Sequence, residues 1–311
     1  MSELKTNKIS TNDTNNVAID NALGLKSYDT TGMNALTSVA GDMIYNTTEN
    51  KVFFYNGSAW GQTGSAAILK IEYLVIGGGG GGAGSYGGAG GAGGYRNSFS
   101  TEASGGGNTG GEMPLVGDTG VNYAVSIGGG GSGGSGSNRG GAGSNTTFAD
   151  VISTGGGSGG NNSESGGPGG SGGGAGGQGG SAGGGTTNQG FSGSVRNNDN
   201  YSGSGGGAGG AGTTQNPNGG GLPLSSSITG SAVSRAGGGA GTGSSDQGGR
   251  GSVNLGGGGN AGTAGDSGVV ILRYPSDFTL TTSMTTSSKN VVVGDDKYTV
   301  ITAGTGTVSF A

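Results

Sequence analysis

The fold is decided by residues 87–94, which read Gly-Gly-Ala-Gly-Gly-Ala-Gly-Gly. Similar triplets recur at 130–136, through 166–181 with one slip at Ala175, and at 206–211. A polyproline II helix has three residues per turn, so period three places the non-glycine residue on one edge and leaves two edges bare. Bare edges let neighbouring helices approach and bond through their backbone N–H and C=O groups. The triplets therefore predict packed polyproline II (polyglycine II) helices over roughly residues 77–268.

The composition alone would favour disorder. Glycine accounts for 86 of 311 residues, hydrophobic residues are 29% and charged residues 10%, so side-chain burial can offset little of the conformational entropy lost on folding. The regular spacing of the glycines favours an ordered bundle, with disorder as the alternative. Collagen fits poorly because the register breaks every few triplets and the chain has only five prolines.

Two apolar segments frame the glycine-rich region. Residues 68–76 and 269–274 both read as buried strands, and the second is stopped by Pro275. We expect them to pair in one sheet and clamp the ends of a domain spanning 67–275. Inner strands are predicted at 121–127 and around 146–152.

The flanking regions predict small β structures. In the N-terminal region, residues 1–66, strands at 42–45 and 51–55 precede the turn dipeptide Asn56-Gly57. In the C-terminal region, residues 276–311, three strands are separated by glycine turns. The predicted fold class is therefore all-β with irregular structure: an N-terminal meander, a central bundle, a small C-terminal β region and essentially no α-helix.

Several chemistries are disfavoured by the residues that the chain lacks. It has no cysteine and no histidine, which argues against disulfides, the usual zinc sites and histidine-based catalysis. With 13 basic residues and a net charge of −5, nucleic-acid binding is not expected. We see no signal peptide and no membrane span. We predict no enzyme activity, catalytic residue, cofactor or metal.

One glycine motif resembles a nucleotide-binding loop, and two pairs of carboxylates are close enough in sequence to be considered for catalysis. Gly77, Gly79 and Gly82 follow an apolar strand, as in a dinucleotide-binding loop, but a helix cannot start in the triplets that follow. The closest carboxylate pairs, Asp295-Asp296 and Asp42 with Glu49, lie in or beside predicted turns with no sign of a cleft.

Longer inserts interrupt the triplets at 95–103, 112–116, 188–201 and 215–236. In a bundle of short rods these inserts should be the turns at its ends, and loops on rigid scaffolds often carry binding residues. Solvated loop residues without a function are the alternative for each position. The receptor-binding candidates are Phe191, Asn197, Asp199, Tyr201, Asn216 and Leu222.

Two parts of the chain resemble phage proteins. The segment 41–60, with Gly41-Asp42-Met43-Ile44-Tyr45-Asn46 and Lys51 to Trp60, is similar to a short β unit near the start of phage tail-fibre and other virion proteins. The frame made by Ile71 to Gly77, Gly93-Gly94-Tyr95-Arg96 and Ser267 to Tyr274 resembles the glycine-rich domain of phage fibre proteins, many from marine phages. Similar adhesins at fibre tips form layered polyproline II sandwiches whose end loops contact the host receptor. Those tip adhesins lack the N-terminal β unit, so a one-piece fibre is the better match.

The resemblance implies a virion fibre protein, with a tail fibre acting in host attachment as the leading interpretation. It implies a homotrimer that joins other virion proteins through residues 1–66 and binds a glycan or outer-membrane protein of the host. The protein would be made in the host cytoplasm and carried on the tail or capsid surface. A capsid decoration or head fibre without a receptor is the first alternative. An ice-binding protein is the second, although the third triplet residue varies where recurrent threonine would be expected.

Overall fold

The computed structural model describes residues 24–62, 68–196, 201–214, 219–242 and 255–311. The chain divides into two compact units, Met1–Ala67 and Ile68–Ala311. The elements are β1 (Ser27–Tyr28), α1 (Thr30–Asn34), β2 (Met43–Asn46), β3 (Lys51–Tyr55), β4 (Trp60–Gln62), β5 (Leu69–Ile76), β6 (Tyr95–Asn97), β7 (Leu115–Gly117), β8 (Tyr123–Ser126), β9 (Thr146–Phe148), β10 (Val151–Ser153), β11 (Leu224–Ser226), β12 (Val233–Arg235), β13 (Val269–Pro275), β14 (Leu280–Thr281), β15 (Thr285–Val293), β16 (Asp296–Ala303) and β17 (Thr305–Phe310).

The N-terminal unit is the predicted β-meander with one short addition. Its sheet has the order β1-β2-β3-β4, and the β3–β4 hairpin turns at Gly57, whose φ is +101°. The prediction of essentially no α-helix is confirmed: the described residues contain one short helix, α1, a single turn that Asp29 caps by accepting a hydrogen bond from Gly32 N at 2.6 Å. Met33 of this helix packs with Ile44 and Phe53 in a small core.

The predicted pairing of the two framing strands is confirmed. β5 and β13 are antiparallel neighbours in the central sheet, which has the order β15-β16-β13-β5-β6, with β7 also paired to β5. Alternate side chains of these two strands enter two different cores, because successive strand residues point to opposite faces. The first core receives Leu69, Ile71, Tyr73, Val75, Val270, Leu272 and Tyr274, and the second receives Leu74, Ile76, Val269 and Ile271.

The first core lies between the central sheet and a second sheet of order β10-β9-β8-β17-β14. The predicted strands near 121–127 and 146–152 are β8 and the β9–β10 hairpin of this second sheet. Its other two strands, β14 and β17, come from the C-terminal region. Residues 276–311 therefore belong to the same compact unit as the glycine-rich region and do not form a separate one.

A buried tyrosine ties the C-terminal strands to the framing sheet. The Tyr274 hydroxyl donates to Asn290 Oδ1 at 2.6 Å and lies 2.8 Å from Thr299 Oγ1. Asn290 Oδ1 also accepts from Leu280 N. Burial raises the pKa of Tyr274 to about 12, so the phenol stays a neutral donor at ordinary pH.

The glycine segments bond to one another with the period expected of polyproline II helices. In residues 77–84 every N–H donates to another segment over 2.8–3.0 Å, and every third residue uses the same neighbour. The N–H groups reach segments 88–94, 138–144 and 263–266, all antiparallel to residues 77–84. The C=O groups accept from segments 131–134, 156–159 and 259–262, all parallel to it. Residues 77–84 are thus a central threefold helix with six neighbours among the described segments.

Where two paired strands continue into two neighbouring polyproline II helices, the hydrogen-bonding register of the strands is kept in the helices. Ile76 faces Val269 in the β5–β13 ladder, and Gly79 then donates to Asp266, three residues further along in each segment. The pairings β5–β6, β8–β9, β9–β10 and β11–β12 continue in the same way. The strands therefore fix which residues of the glycine segments can bond.

Close backbone approach explains why the inner helix edges must be glycine. A Cβ built on Gly80 would lie 2.1 Å from the Gly157 carbonyl oxygen, and one on Gly90 would lie 2.0 Å from that of Gly80. A carbonyl that bonds a neighbouring helix cannot move aside without breaking the ladder. The alanines at 89 and 92 lie where the packing leaves room for a methyl group, and both are fully buried.

We expect Gly80→Ala to destabilise the glycine-rich unit by at least about 2 kcal/mol, since the new methyl overlaps a backbone oxygen in the packed interior. Gly129→Ala is the matched control, because its Cβ would meet nothing within 4 Å at an exposed position. It should leave stability unchanged or raise it by about 0.5 kcal/mol. Differential scanning calorimetry is the suitable measurement, because the single tryptophan, Trp60, lies in the other unit. Equal melting temperatures for the two variants would contradict the packing described.

Candidate functional site

The helices of the bundle reverse direction in tight turns at the end remote from the sheets. We call this end the turn end, and define it by residues 84–87, 135–138, 161–164, 176–179 and 260–263. In each turn the fourth N–H donates to the carbonyl of the first residue. The helices between these turns and the strands hold the turns at a fixed distance from the two cores.

Hydrogen bonds join neighbouring turns to one another, in addition to the bond within each turn. Ser85 N donates to Gly136 O at 2.8 Å, and Gly177 N donates to Tyr86 O at 2.8 Å. The Asn161 side chain donates from Nδ2 to Ser137 O. Because backbone groups of adjacent turns are joined in this way, the turn end is a rigid surface.

A cavity of about 300 Å³ opens at the turn end. Its walls come from three turns and from the chain near Thr242. Backbone and small side chains form the lining: Gly84, Ser85, Gly134, Ser135, Gly136, Thr242, Ala261 and Gly262. The backbone N–H groups of Gly84, Ser85, Gly134 and Gly262 already donate within the bundle, so this surface offers a ligand its shape and a few hydroxyl groups.

Tyr86 is the most prominent side chain of the turn end. Its side chain is 60% exposed and its φ is +55°, in the left-handed region that bulky residues rarely occupy. Glycine would adopt this φ with less strain, so a tyrosine at this position lowers the stability of the turn. Strained residues of this kind are common at binding surfaces. The sequence carried a signal that our candidates missed, because Ser85-Tyr86 is a two-residue insert in a run that otherwise contains only glycine and alanine from 77 to 94.

The structure describes three of the six predicted binding residues, and it does not bring them together. Tyr201 begins the helix segment that continues through Gly203, beside the turn end, since Ala89 N donates to Gly203 O. Phe191 and Leu222 flank the chain at 207–210 near the sheets, where Phe191 N donates to Gly207 O and Gly209 N to Leu222 O. Leu222 is 65% exposed. Asn197, Asp199 and Asn216 lie outside the described residues.

The four inserts are not simple end turns. Residues 95–103 and 112–116 contain or enter β6 and β7, and 215–236 contains the β11–β12 hairpin. Within 188–201, the backbone at 191–194 bonds to neighbouring helices, including Ser194 N to Ser204 O at 2.8 Å. The prediction failed because a helix of the bundle need not consist of glycine on all its edges, and short strands also interrupt the triplets.

A second polar cavity, of about 300 Å³, lies beside the sheets and is lined by Arg96, Asn108, Glu112 and residues 187–189. The two charged residues of this cavity, Arg96 and Glu112, form an ion pair with each other. Glu112 accepts from both Arg96 Nε and Nη2, at 3.0 and 2.7 Å, from Tyr73 Oη at 2.8 Å and from Ser104 Oγ at 2.9 Å. Burial and this carboxylate raise the pKa of Tyr73 far above its ordinary value, so it remains a donor. A carboxylate with four donors has little capacity left for a ligand or a proton transfer.

Three of the four carboxylates in the pairs noted in the sequence, those of Asp296, Asp42 and Glu49, make structural contacts. Asp296 forms an ion pair with Arg273 at 2.8 Å. Asp42 Oδ2 accepts from Val39 N, and Glu49 Oε2 accepts from Gln62 Nε2. In the part of the chain that the structure describes, no three acidic residues are grouped so as to hold a metal ion. Within the same residues, no helix has the length and apolar character needed to cross a membrane.

Comparison with known proteins finds a family match for the glycine-rich region. A family model described as a glycine-rich domain matches residues 56–275, which is more than half of the chain. No curated protein and no solved structure matches the chain. The match begins at the β3–β4 turn, includes both framing strands and ends with β13. On the extent of this match, the chain belongs to the glycine-rich domain family.

Proposed function

We propose that the chain is a phage virion fibre protein, most simply a tail fibre, and that the turn end of its glycine-rich unit binds the surface of the host cell. The observation that carries the proposal is the turn end itself: several cross-bonded turns at one end of a rigid bundle, with Tyr86 exposed in a strained conformation. Rigid scaffolds that present loops at one end are a common design for binding. Tyrosine supplies a large contact area at a low entropic cost.

The proposal assigns no catalytic role to the chain. The turn-end cavity is lined by glycine, serine, threonine and alanine, which provide neither a general acid nor a general base. Outside the cavity, the carboxylates of Asp42 and Glu49 accept hydrogen bonds and that of Asp296 pairs with Arg273. Binding through shape, a few hydroxyl groups and one aromatic ring is what such a surface can provide.

The N-terminal unit is proposed to join the fibre to the particle and to hold three copies together. Within the part of this unit that the structure describes, residues 24–62, the core consists of Met33, Ile44 and Phe53, with Tyr28, Leu36 and Trp60 partly buried around them. So small a core gives marginal stability to an isolated unit. Association of three copies would add buried apolar surface. The likeness of segment 41–60 to the β unit of virion proteins also supports this role.

The first test concerns location and assembly. Immunogold labelling of purified particles, with antibodies raised against the full-length chain, should decorate tail fibres. Light scattering of the purified protein should give three times the 29.1 kDa chain mass. Labels confined to the capsid would favour the head-fibre alternative, and the absence of label from particles would overturn the assignment. A monodisperse monomer would contradict the trimer.

The second test concerns the turn end. Purified protein should compete with the phage for adsorption to its host, and Tyr86→Gly should weaken this competition at least tenfold because the aromatic contact is lost. The variant should fold normally, since glycine accepts the positive φ better than tyrosine does. Met113→Ala is the matched control, because Met113 is 87% exposed beside β7, away from the turn end. Equal competition by the Tyr86 and Met113 variants would contradict a binding role for Tyr86.

A further inference from the structure

A third cavity, of about 360 Å³, lies between the β11–β12 hairpin and the central sheet. Its volume falls within the range of small-molecule sites. It is lined by residues of the hairpin, of β13, of β16 and of the edge strand β15, together with Leu255. We call it the Arg235 cavity, after the one charged residue in its lining.

Arg235 is a buried cation that forms no ion pair with another described residue. The residue is only 6% exposed, and its Nε has no hydrogen-bond partner. The guanidinium donates through Nη1 to Val233 O at 3.3 Å, a long contact within its own strand. Glu102 is the carboxylate that acts on it electrostatically, yet Glu102 accepts from Asn97 Nδ2 and Ser227 N, and no ion pair joins it to Arg235 within the described residues.

A buried guanidinium group with an unpaired Nε is energetically unfavourable. Burial lowers the pKa of Arg235, because the charged form loses its hydration. Buried charges in proteins are normally paired, and an unpaired one lowers stability. The Nε edge of a guanidinium is one side of the planar fork that binds a carboxylate through two parallel hydrogen bonds. Because Arg235 lines the cavity and its Nε is unpaired, its guanidinium group offers a place for the carboxylate of a ligand.

The rest of the lining combines hydroxyl groups with an aliphatic surface. The hydroxyls of Thr229, Ser287, Ser288 and Tyr298 make no hydrogen bond within the described part of the chain. The apolar part consists of Leu255, Val269, Ile271 and Val300. Hydroxyl donors and acceptors beside an aliphatic surface match a pyranose ring, which has hydroxyls at its rim and C–H groups on its faces.

An irregularity in β15 contributes both serines. Successive residues of a regular strand point to opposite faces, so Ser287 and Ser288 would not normally line the same cavity. The pairing of β15 with β16 shifts register between Thr286 and Ser288 and again before Val291. Bulges of this kind redirect side chains and are frequent next to binding sites.

We propose that the Arg235 cavity binds a carboxylated saccharide residue of the hexuronic acid class, with the carboxylate on the Arg235 guanidinium and the ring hydroxyls on the serine, threonine and tyrosine hydroxyls. The site is separate from the turn end. It would stand if the attachment role of the turn end failed.

The test is isothermal titration calorimetry of the full-length protein with D-glucuronate, D-glucose, acetate and sulfate. Glucuronate should bind at least tenfold more tightly than either glucose, which lacks the carboxylate, or acetate, which lacks the ring. Equal binding of sulfate and glucuronate would mean a general anion site and would overturn the saccharide assignment. Equal binding of glucose and glucuronate, or no glucuronate binding at all, would overturn the role of Arg235.

Arg235→Met separates a binding role from a structural one. Methionine retains most of the length of the side chain and removes the buried charge, so the melting temperature should be unchanged or raised, while glucuronate affinity falls at least tenfold. Lys70→Met, which removes an exposed positive charge from β5, is the matched control and should bind glucuronate as the native protein does. A lower melting temperature with unchanged glucuronate affinity would make Arg235 a structural residue.

Discussion

Interhelix hydrogen bonding of the glycine backbone is the interaction on which the rest of this structure depends. In the central helix, residues 77–84, each N–H group and nearly every C=O group is paired with a different chain segment. The bonds require backbones to approach so closely that a carbonyl oxygen occupies the place of a Cβ, as at Gly80. One bond contributes about 1 kcal/mol net, which is similar to the entropy that one glycine loses. A glycine bundle is therefore close to balance on its own and needs an additional source of stability.

The β frame provides that source and also sets the register. β5 and β13 place alternate side chains into two cores, one shared with the second sheet and one shared with alanines of the helices, such as Ala92 and Ala208. Each strand ladder passes directly into a helix pair, so the apolar strands align the glycine segments that follow. A glycine segment by itself has no side chains that distinguish one register from another. The few apolar residues of this chain thus determine the positions of many glycines.

Because the glycine helices form the bundle and the β strands stabilise it at one end, the surfaces that could bind a ligand lie in separate places. The sides of the inner helices are occupied by their neighbours, and the two side chains proposed to bind ligands lie at the turn end and beside the sheets. At the turn end, Tyr86 is held in a conformation that favours glycine. Beside the sheets, Arg235 is buried with its Nε unpaired. Both residues lower the stability of the protein where they lie, and local conflicts of this kind are common at functional positions.

The sequence by itself determined the elements that depend on local pattern. Period-three glycine predicted threefold helices, apolar runs predicted the framing strands, and Asn56-Gly57 predicted a hairpin, because each of these follows from the geometry of a few consecutive residues. The short helix α1 was missed because its five residues carry no helical pattern and depend on the Asp29 cap.

Only the tertiary structure decided which segments are neighbours and which side chains remain available. Six segments that are distant in sequence surround residues 77–84, and a triplet pattern that many segments share cannot distinguish among them. The union of 276–311 with the glycine-rich unit, the strained exposure of Tyr86 and the isolation of Arg235 likewise arise from long-range packing. The predicted candidates were selected as interruptions of the glycine pattern. Whether an interruption becomes a strand, a buried helix edge or an exposed turn depends on contacts with residues far away in the chain.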